Sequence, residues 1–214
     1  MPSFETRLTP ELIGRYTRSG HWGTETFYSV LALRAAAHPD RIAIVDHRSR
    51  VTYGELLRRV DDVAAGLADL GVGRGDVVTI QLPNWAEFAY VFFACERVGA
   101  VANQIGPDYR SREVEYILRF SESCAYVCPA SFRGFDYVAM IEELRPRLPD
   151  LRSVCVLGGE PTATTTRLDD LIDGTTTSLA PARFTPPPTS SSGRWTCWST
   201  RAASRIASGC GSSG

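Results

Sequence analysis

The chain has 214 residues and a formal net charge of −1, with 43% hydrophobic and 22% charged residues. These are the values of an ordinary globular protein, and they exclude collagen-like, coiled-coil and wholly disordered chains. All 23 basic residues are arginine, so chemistry that needs a lysine from this chain is excluded, and the near-neutral balance offers no basic field for nucleic acid.

The first 26 residues read as an amino-terminal extension. They mix Glu5, Arg7, Glu11, Arg15 and Arg18 with no apolar core of a secretory signal. The longest unbroken apolar run, Phe88 to Cys95, is far short of the ~20 residues that span a bilayer. The chain therefore reads as cytoplasmic, without a membrane span. Six cysteines (Cys95, Cys124, Cys128, Cys155, Cys197 and Cys210) are sparse for the length, four of them within apolar segments, and read as reduced packing residues.

From residue 27 the pattern is that of an α/β domain. Phe27 to Ala37 suits a helix, and Ile42 to Val45 a short strand. Thr52-Tyr-Gly-Glu55 is a capping box, in which the hydroxyl serves an orphan amide and the carboxylate reaches back. It opens a helix with the apolar stripe Leu56, Val60, Val63, Ala64, Leu67 and Leu70, ending at Gly71. Val77 to Leu82 is a strand stopped by Pro83. A helix from Trp85 to about Val98 follows, then a strand near Val101 to Gln104 and a helix from Ser111, with Glu113 and Glu115 in its first turn. Ala125 to Cys128 and Val154 to Leu157 are strands around a helix near Tyr137 to Leu144. Strands separated by helices predict a mainly parallel sheet covered on both faces.

The apolar and amphipathic alternation stops after Pro161. Residues 185–214 carry eight Ser, four Gly, four Thr and three Pro, too little apolar area to offset chain entropy, and read as a disordered tail. The organisation predicted is an extension over 1–26, a partial domain over 27–184 and the tail over 185–214.

The candidate sites have plain structural readings. Gly71-Val-Gly-Arg-Gly75 looks like a phosphate loop, but it follows a helix and precedes a strand, the reverse of the required order, and reads as a helix stop with a tight turn. Cys124 and Cys128 lie four apart on one face of a predicted strand. They lack further ligands, since His21, His38 and His47 have no metal-ligand spacing. The aromatic cluster Trp85, Phe88, Tyr90, Phe92 and Phe93 reads as a buried helix. No residue is assigned a catalytic, cofactor-binding or metal role.

The order of the remaining motifs is distinctive. His38-Pro-Asp-Arg41, Ile42-Ala-Ile-Val-Asp46, Val51-Thr-Tyr-Gly-Glu-Leu56, Leu70-Gly-Val-Gly-Arg-Gly-Asp-Val-Val78, Gln81-Leu-Pro-Asn-Trp85, Arg97-Val-Gly-Ala-Val101 and Ser111-Arg-Glu-Val-Glu-Tyr-Ile-Leu118 follow one another across residues 16 to 160. This resembles the opening of AMP-forming acyl-activating enzymes, the superfamily of acyl-CoA synthetases, peptide-synthetase adenylation domains and luciferases. Arg15-Tyr16, Gly20-His-Trp22 and Phe132-Arg-Gly-Phe-Asp-Tyr137 are similar to the branch of cyclohexanecarboxylate-CoA ligases and 2,3-dihydroxybenzoate-AMP ligases.

The resemblance implies ATP, Mg and coenzyme A for the full-length family, with a carboxylic acid as substrate. It implies a Ser/Thr/Gly-rich phosphate loop ending in Pro-Lys-Gly and a lysine on a carboxy-terminal domain, neither of which this chain has. The expectation is a truncated relative of an AMP-forming carboxylic (fatty or cyclic) acid-CoA ligase, inactive alone. The alternatives are a non-catalytic module pairing with a partner at an exposed apolar face, and a fragment of an aryl acid-AMP ligase of siderophore assembly. Read from the third base of each codon, Trp195 to Ala203 permits Asp-Val-Leu-Val-Tyr-Thr-Ser-Gly, with Asp and Leu forced. That peptide resembles the start of the family's phosphate loop, and the tail reads as a shifted frame.

Overall fold

The computed structural model describes residues 9–23 and 25–174; the tail over 185–214, with its shifted-frame reading, Cys197 and Cys210, lies outside them. The chain divides into two units, one of residues 1–25 with 185–214 and one of Thr26–Phe184.

The first unit contains helix α1 (Pro10–Arg18), which the sequence reading left as plain extension. It starts as helices do: Thr9 Oγ1 accepts from the N–H of Leu12 at 3.2 Å, and Pro10 occupies the first turn, where no N–H is needed. Tyr16 and Trp22 sit with ring centroids 5.2 Å apart.

The second unit opens with α2 (Phe27–Ala37), then β1 (Ile42–Val45) and β2 (Arg50–Thr52), an antiparallel pair separate from the main sheet. The Ile42–Val45 strand, foreseen among the alternating strands and helices, thus stands apart from the sheet, because the next run turns straight back through Asp46 to Ser49. Asp46 Oδ1 accepts from the N–H groups of Arg48 and Ser49 and closes that turn. Helix α3 (Tyr53–Asp69) is capped by Thr52, whose Oγ1 accepts from Glu55 N at 3.2 Å. Only half of the expected capping box forms, since Glu55 Oε1 instead accepts from Arg59 Nη2 at 2.5 Å.

Strands β3 (Val77–Ile80), β4 (Val101–Gln104), β5 (Ala125–Pro129), β8 (Ser153–Leu157) and β9 (Thr166–Arg167) form a five-stranded, wholly parallel sheet in the order β4-β3-β5-β8-β9. Between them run α4 (Ala86–Val98), α5 (Ser111–Phe120), the β6–β7 hairpin (Ser131–Phe132, Phe135–Asp136) and α6 (Tyr137–Leu144); α7 (Leu168–Ile172) follows β9. The period of two along each strand sorts side chains onto two faces. Val78, Ile80, Val127, Cys155 and Leu157 join Val63 and Leu67 of α3, Tyr90 of α4 and Leu168 and Leu171 of α7. Tyr126, Cys128, Val154 and Val156 join Val114 and Leu118 of α5 and Ile141 and Leu144 of α6. A fully buried Leu or Val side chain contributes about 1.5–3 kcal/mol, so two such layers hold the sheet from both sides.

Element β9 and helix α7 continue regular structure past Pro161, where the sequence pattern appeared to stop. A two-residue strand and a five-residue helix are shorter than any window in which periodicity can be read.

Candidate functional site

Ligands of open parallel sheets bind outside the carboxyl ends of the strands. In this unit three segments meet there: Gln81 to Trp85 after β3, Ile105 to Arg110 after β4, and the hairpin after β5. With His47 from the β1–β2 turn they line a cleft of about 360 Å³, whose walls are His47, Pro83, Asn84, Trp85, Pro107, Asp108, Phe132 and Arg133.

Buried Gln81 fixes the segment after β4. Its Nε2 donates to Gly106 O at 2.9 Å and Tyr109 O at 3.0 Å, while its Oε1 accepts from the phenol of fully buried Tyr126. Tyr137 Oη donates to Pro107 O at 2.6 Å, and Arg110 Nη1 donates to Pro107 O at 2.8 Å. Arg110 itself lies over the Phe135 ring at 4.1 Å.

The other wall is aromatic and cationic. Trp85 and Phe132 meet edge to face, with centroids 5.5 Å apart. Arg48 lies 4.3 Å over Trp85 and pairs with Glu87 at 2.5 Å. Arg133 (φ 51°) and Gly134 (φ 77°) are both left-handed, as the tight turn between β6 and β7 demands. That turn leaves the Arg133 guanidinium exposed, 3.6 Å from Asp108.

The helix N-termini at this edge are closed by the chain's own carboxylates. Asp46 Oδ2 accepts from Ala86 N, the first N–H of α4, at 2.9 Å. Glu113 Oε2 accepts from Arg110 N at 3.3 Å at the start of α5, and Asp136 Oδ1 accepts from Ala139 N at 2.9 Å in α6. A helix N-terminus seats a phosphate because its N–H groups are free and its dipole end is positive; a carboxylate already there repels one. For Asp46, burial works to raise the pKa. The N–H groups of Ala86, Arg48 and Ser49 and the Ser49 hydroxyl outweigh that, and hold the carboxyl down at about 2. A carboxylate thus stands at each of these three helix starts, and among the described residues no group of three or more His, Cys, Asp or Glu could hold a metal ion. The described residues line the cleft with aromatic faces and cations.

Gly71 to Gly75 forms the expected helix stop and turn, at the amino-terminal edge of the sheet away from the cleft. Gly71 has φ 79°, Val72 N donates back to Leu67 O at 2.9 Å, and Asp76 Oδ2 accepts from Gly73 N at 3.1 Å. Cys124 and Cys128 do not share a face as expected. Cys124 packs with the first core layer and Cys128 with the second, because Cys124 precedes β5 and follows the left-handed turn at Glu122 (φ 50°), so the alternation starts only at Ala125. Burial raises all four described thiols, those of Cys95 and Cys155 to about 12, which makes them poor nucleophiles. Of the aromatic cluster, Tyr90 is fully buried and the other four are half-buried; Trp85 alone of them reaches the cleft. The sequence reading quoted Gln81 and Arg133 within motifs and weighed His47 as a metal ligand, but gave none of the three a place in a site. Only Gln81 carried a sign of itself, as a polar residue closing an otherwise apolar strand.

A parallel sheet with helices on both faces and a cleft at its carboxyl edge defines an α/β protein of the open-sheet class. The chain belongs to the AMP-binding enzyme family, whose model matches residues 31–191. It is similar to the 2,3-dihydroxybenzoate-AMP ligase of Bacillus subtilis, 40% identical over 148 residues, which cover 69% of this chain and 28% of that protein. The salicyl-AMP ligase / salicyl-S-ArCP synthetase of Mycobacterium tuberculosis is 36% identical over 151 residues, 68% of this chain and 26% of its own length. Among solved structures, apo MbtA of Mycobacterium smegmatis superposes with a TM-score of 0.75 at 33% identity, covering 86% of this chain and 33% of that one. The match is to the N-terminal domain of AMP-binding ligases, and the chain spans about a quarter to a third of the length of these relatives. Among the described residues no helix is long and apolar enough to cross a membrane.

Proposed function

We propose that this chain is the amino-terminal portion of an aryl-acid adenylating ligase, contributing the scaffold and one wall of the site while ATP and Mg are held by the rest of the fold. The observation that carries this is the 40% identity, through the parallel-sheet unit, to a 2,3-dihydroxybenzoate-AMP ligase. A second relative of similar coverage carries the name of a salicyl-AMP ligase. The reading moves the acid class from fatty or cyclic acids to aryl acids. It leaves the final acceptor as either coenzyme A or a carrier-protein thiol, since one relative is named a CoA ligase and another a salicyl-S-ArCP synthetase.

On this reading the chain alone is inactive. In support, a carboxylate stands at each of the three helix starts, where it repels a phosphate, and the chain has no lysine to meet developing phosphoryl charge. The cleft contributes contacts that orient an aromatic or anionic group, through Trp85, Phe132, Arg48 and Arg133. The test is ATP–pyrophosphate exchange driven by 2,3-dihydroxybenzoate or salicylate, with this chain alone and with a chimera. The chimera joins this chain to the part of the Bacillus subtilis enzyme that follows the matched stretch. Exchange by the chimera and none by the chain supports the proposal; a folded chimera without exchange defeats it.

A further inference from the structure

Helix α5 carries two apolar faces. Val114 and Leu118 are buried in the second core layer, and at about 3.6 residues per turn Tyr116 falls opposite the midpoint between them. A surface helix normally turns charged or polar side chains that way. Here the outward pole is aromatic. Tyr116 is 66% exposed and Phe120, one turn on, 46% exposed. Their rings stack with centroids 5.8 Å apart and planes 16° from parallel. They lie in a shallow recess of about 720 Å³, whose other walls are Ser111, Arg112, Glu115 and Arg119.

The charges around this pair are balanced and ordered. Glu113 lies three residues before Tyr116 and Arg119 three after it, while Arg112 lies four before and Phe120 four after. Arg112 and Glu113 are exposed, and the Arg119 side chain is 62% exposed, with only a 3.8 Å approach to Glu115. Arg112 forms no ion pair among the described residues. A two-fold axis at Tyr116 that sets two such helices antiparallel exchanges the positions before it with those after it. Glu113 then faces Arg119 of the second copy, the Arg112 guanidinium faces its Phe120 ring, and Tyr116 meets its own mate. In a parallel, in-register pair like charges would meet instead.

We propose that the outer face of α5 is the seat of a second copy of this chain, in an isologous two-fold dimer with the helices antiparallel about Tyr116. The occupant follows from charge. Two bases and two acids, Arg112, Arg119, Glu113 and Glu115, leave the face without a net field to draw nucleic acid or a strongly charged protein, yet their order complements itself. Helix α2 also exposes Phe27, Val30 and Leu33, but with Arg34 as its one charge nothing there selects a mate. The inference does not depend on the ligase reading, and exchange by the chimera bears on that reading alone.

The experiment is sedimentation equilibrium of the purified chain over a range of concentrations. The expected result is a reversible monomer–dimer equilibrium in which Tyr116→Glu raises the dissociation constant at least about tenfold. Glu113→Arg and Arg119→Glu each raise it about three- to tenfold, since a repulsion arises on both sides of the axis. The double variant Glu113→Arg/Arg119→Glu returns to near the parent value. Glu113 also caps α5, a role that the double variant lacks as well, so its recovery separates pairing across the axis from damage to the helix. Leu33→Glu on α2 leaves the equilibrium unchanged. Melting curves at concentrations where every variant is monomeric show that none has unfolded. A chain still monomeric at about 1 mM overturns the inference; if that monomer binds the separately produced remainder of the Bacillus subtilis ligase through the Tyr116 face, the remainder is the occupant. A dimer that Leu33→Glu dissociates and Tyr116→Glu does not, or one that the double variant fails to restore, overturns it equally.

Discussion

Asp46 does at residue scale what Trp85, the cap residue of α4, does not. Trp85 offers no side-chain acceptor, and a carboxylate 40 positions earlier takes the Ala86 N–H instead. Asp46→Asn is expected to cost about 1 kcal/mol, the usual worth of a cap and its charge at a helix start. The acid dependence follows from the depressed folded value of about 2 against about 3.9 in an unfolded chain. The folded state holds the ionised form more strongly, so this contribution is present above about pH 4 and is lost as pH falls towards 2. Chemical denaturation from pH 6 to pH 2 should show the gap between parent and variant closing over that interval; a constant gap would mean that the charge is not the agent. Gln81 is a second such residue. Gln81→Leu removes both donors to the segment after β4 and the acceptor for the Tyr126 phenol, and is expected to destabilise by about 2–4 kcal/mol. A denaturation midpoint within error of the parent would contradict the role given to it.

At the scale of elements, most of the fold was legible from the chain. The helices Phe27–Ala37 and Tyr137–Leu144 and the strand Val101–Gln104 fall where the sequence reading places them, and the two helices stop within two residues of a proline, Pro39 and Pro146. Short elements were not legible: β2, β6, β7, β9 and α7 have two to five residues each, too few to show a period, and their pairing is decided by contacts far along the chain. The cleft was legible only in part. Its position follows from the parallel sheet, whereas His47 and Arg133 come to it through turns whose geometry no local pattern announces. Among the elements, α3 and α7 offer the sharpest packing test. A Cβ on Gly66 would stand 2.5 Å from Leu171 Cδ2 and 3.2 Å from its Cβ, so α7 would have to move away. Gly66→Ala gains about 1 kcal/mol of helix propensity but is expected to lose more by overpacking, about 1–3 kcal/mol. Thermal denaturation should show a net loss; a gain would mean that α7 yields freely.

At the scale of the whole molecule, a well-packed sheet is joined to apolar surface that stands exposed among the described residues. The core layers on both faces of the sheet are closed, the helix starts at its carboxyl edge carry their own carboxylates, and the exposed apolar residues gather on α2 and β1. On the proposed reading, this is the scaffold portion of an adenylating ligase. The shifted-frame reading of Trp195 to Ala203 adds a genetic expectation: the DNA downstream, read from the third base, encodes Pro-Lys-Gly and later ligase-like sequence. Stops in that frame with no such peptide would remove it. Aryl-acid-dependent ATP–pyrophosphate exchange, measured on the purified chain and on its chimera with the remainder of the Bacillus subtilis ligase, decides whether this chain is a ligase portion. The account predicts background exchange for the chain and acid-dependent exchange for the chimera. Exchange by the chain alone that survives repurification and is lost on mutating this chain would contradict it.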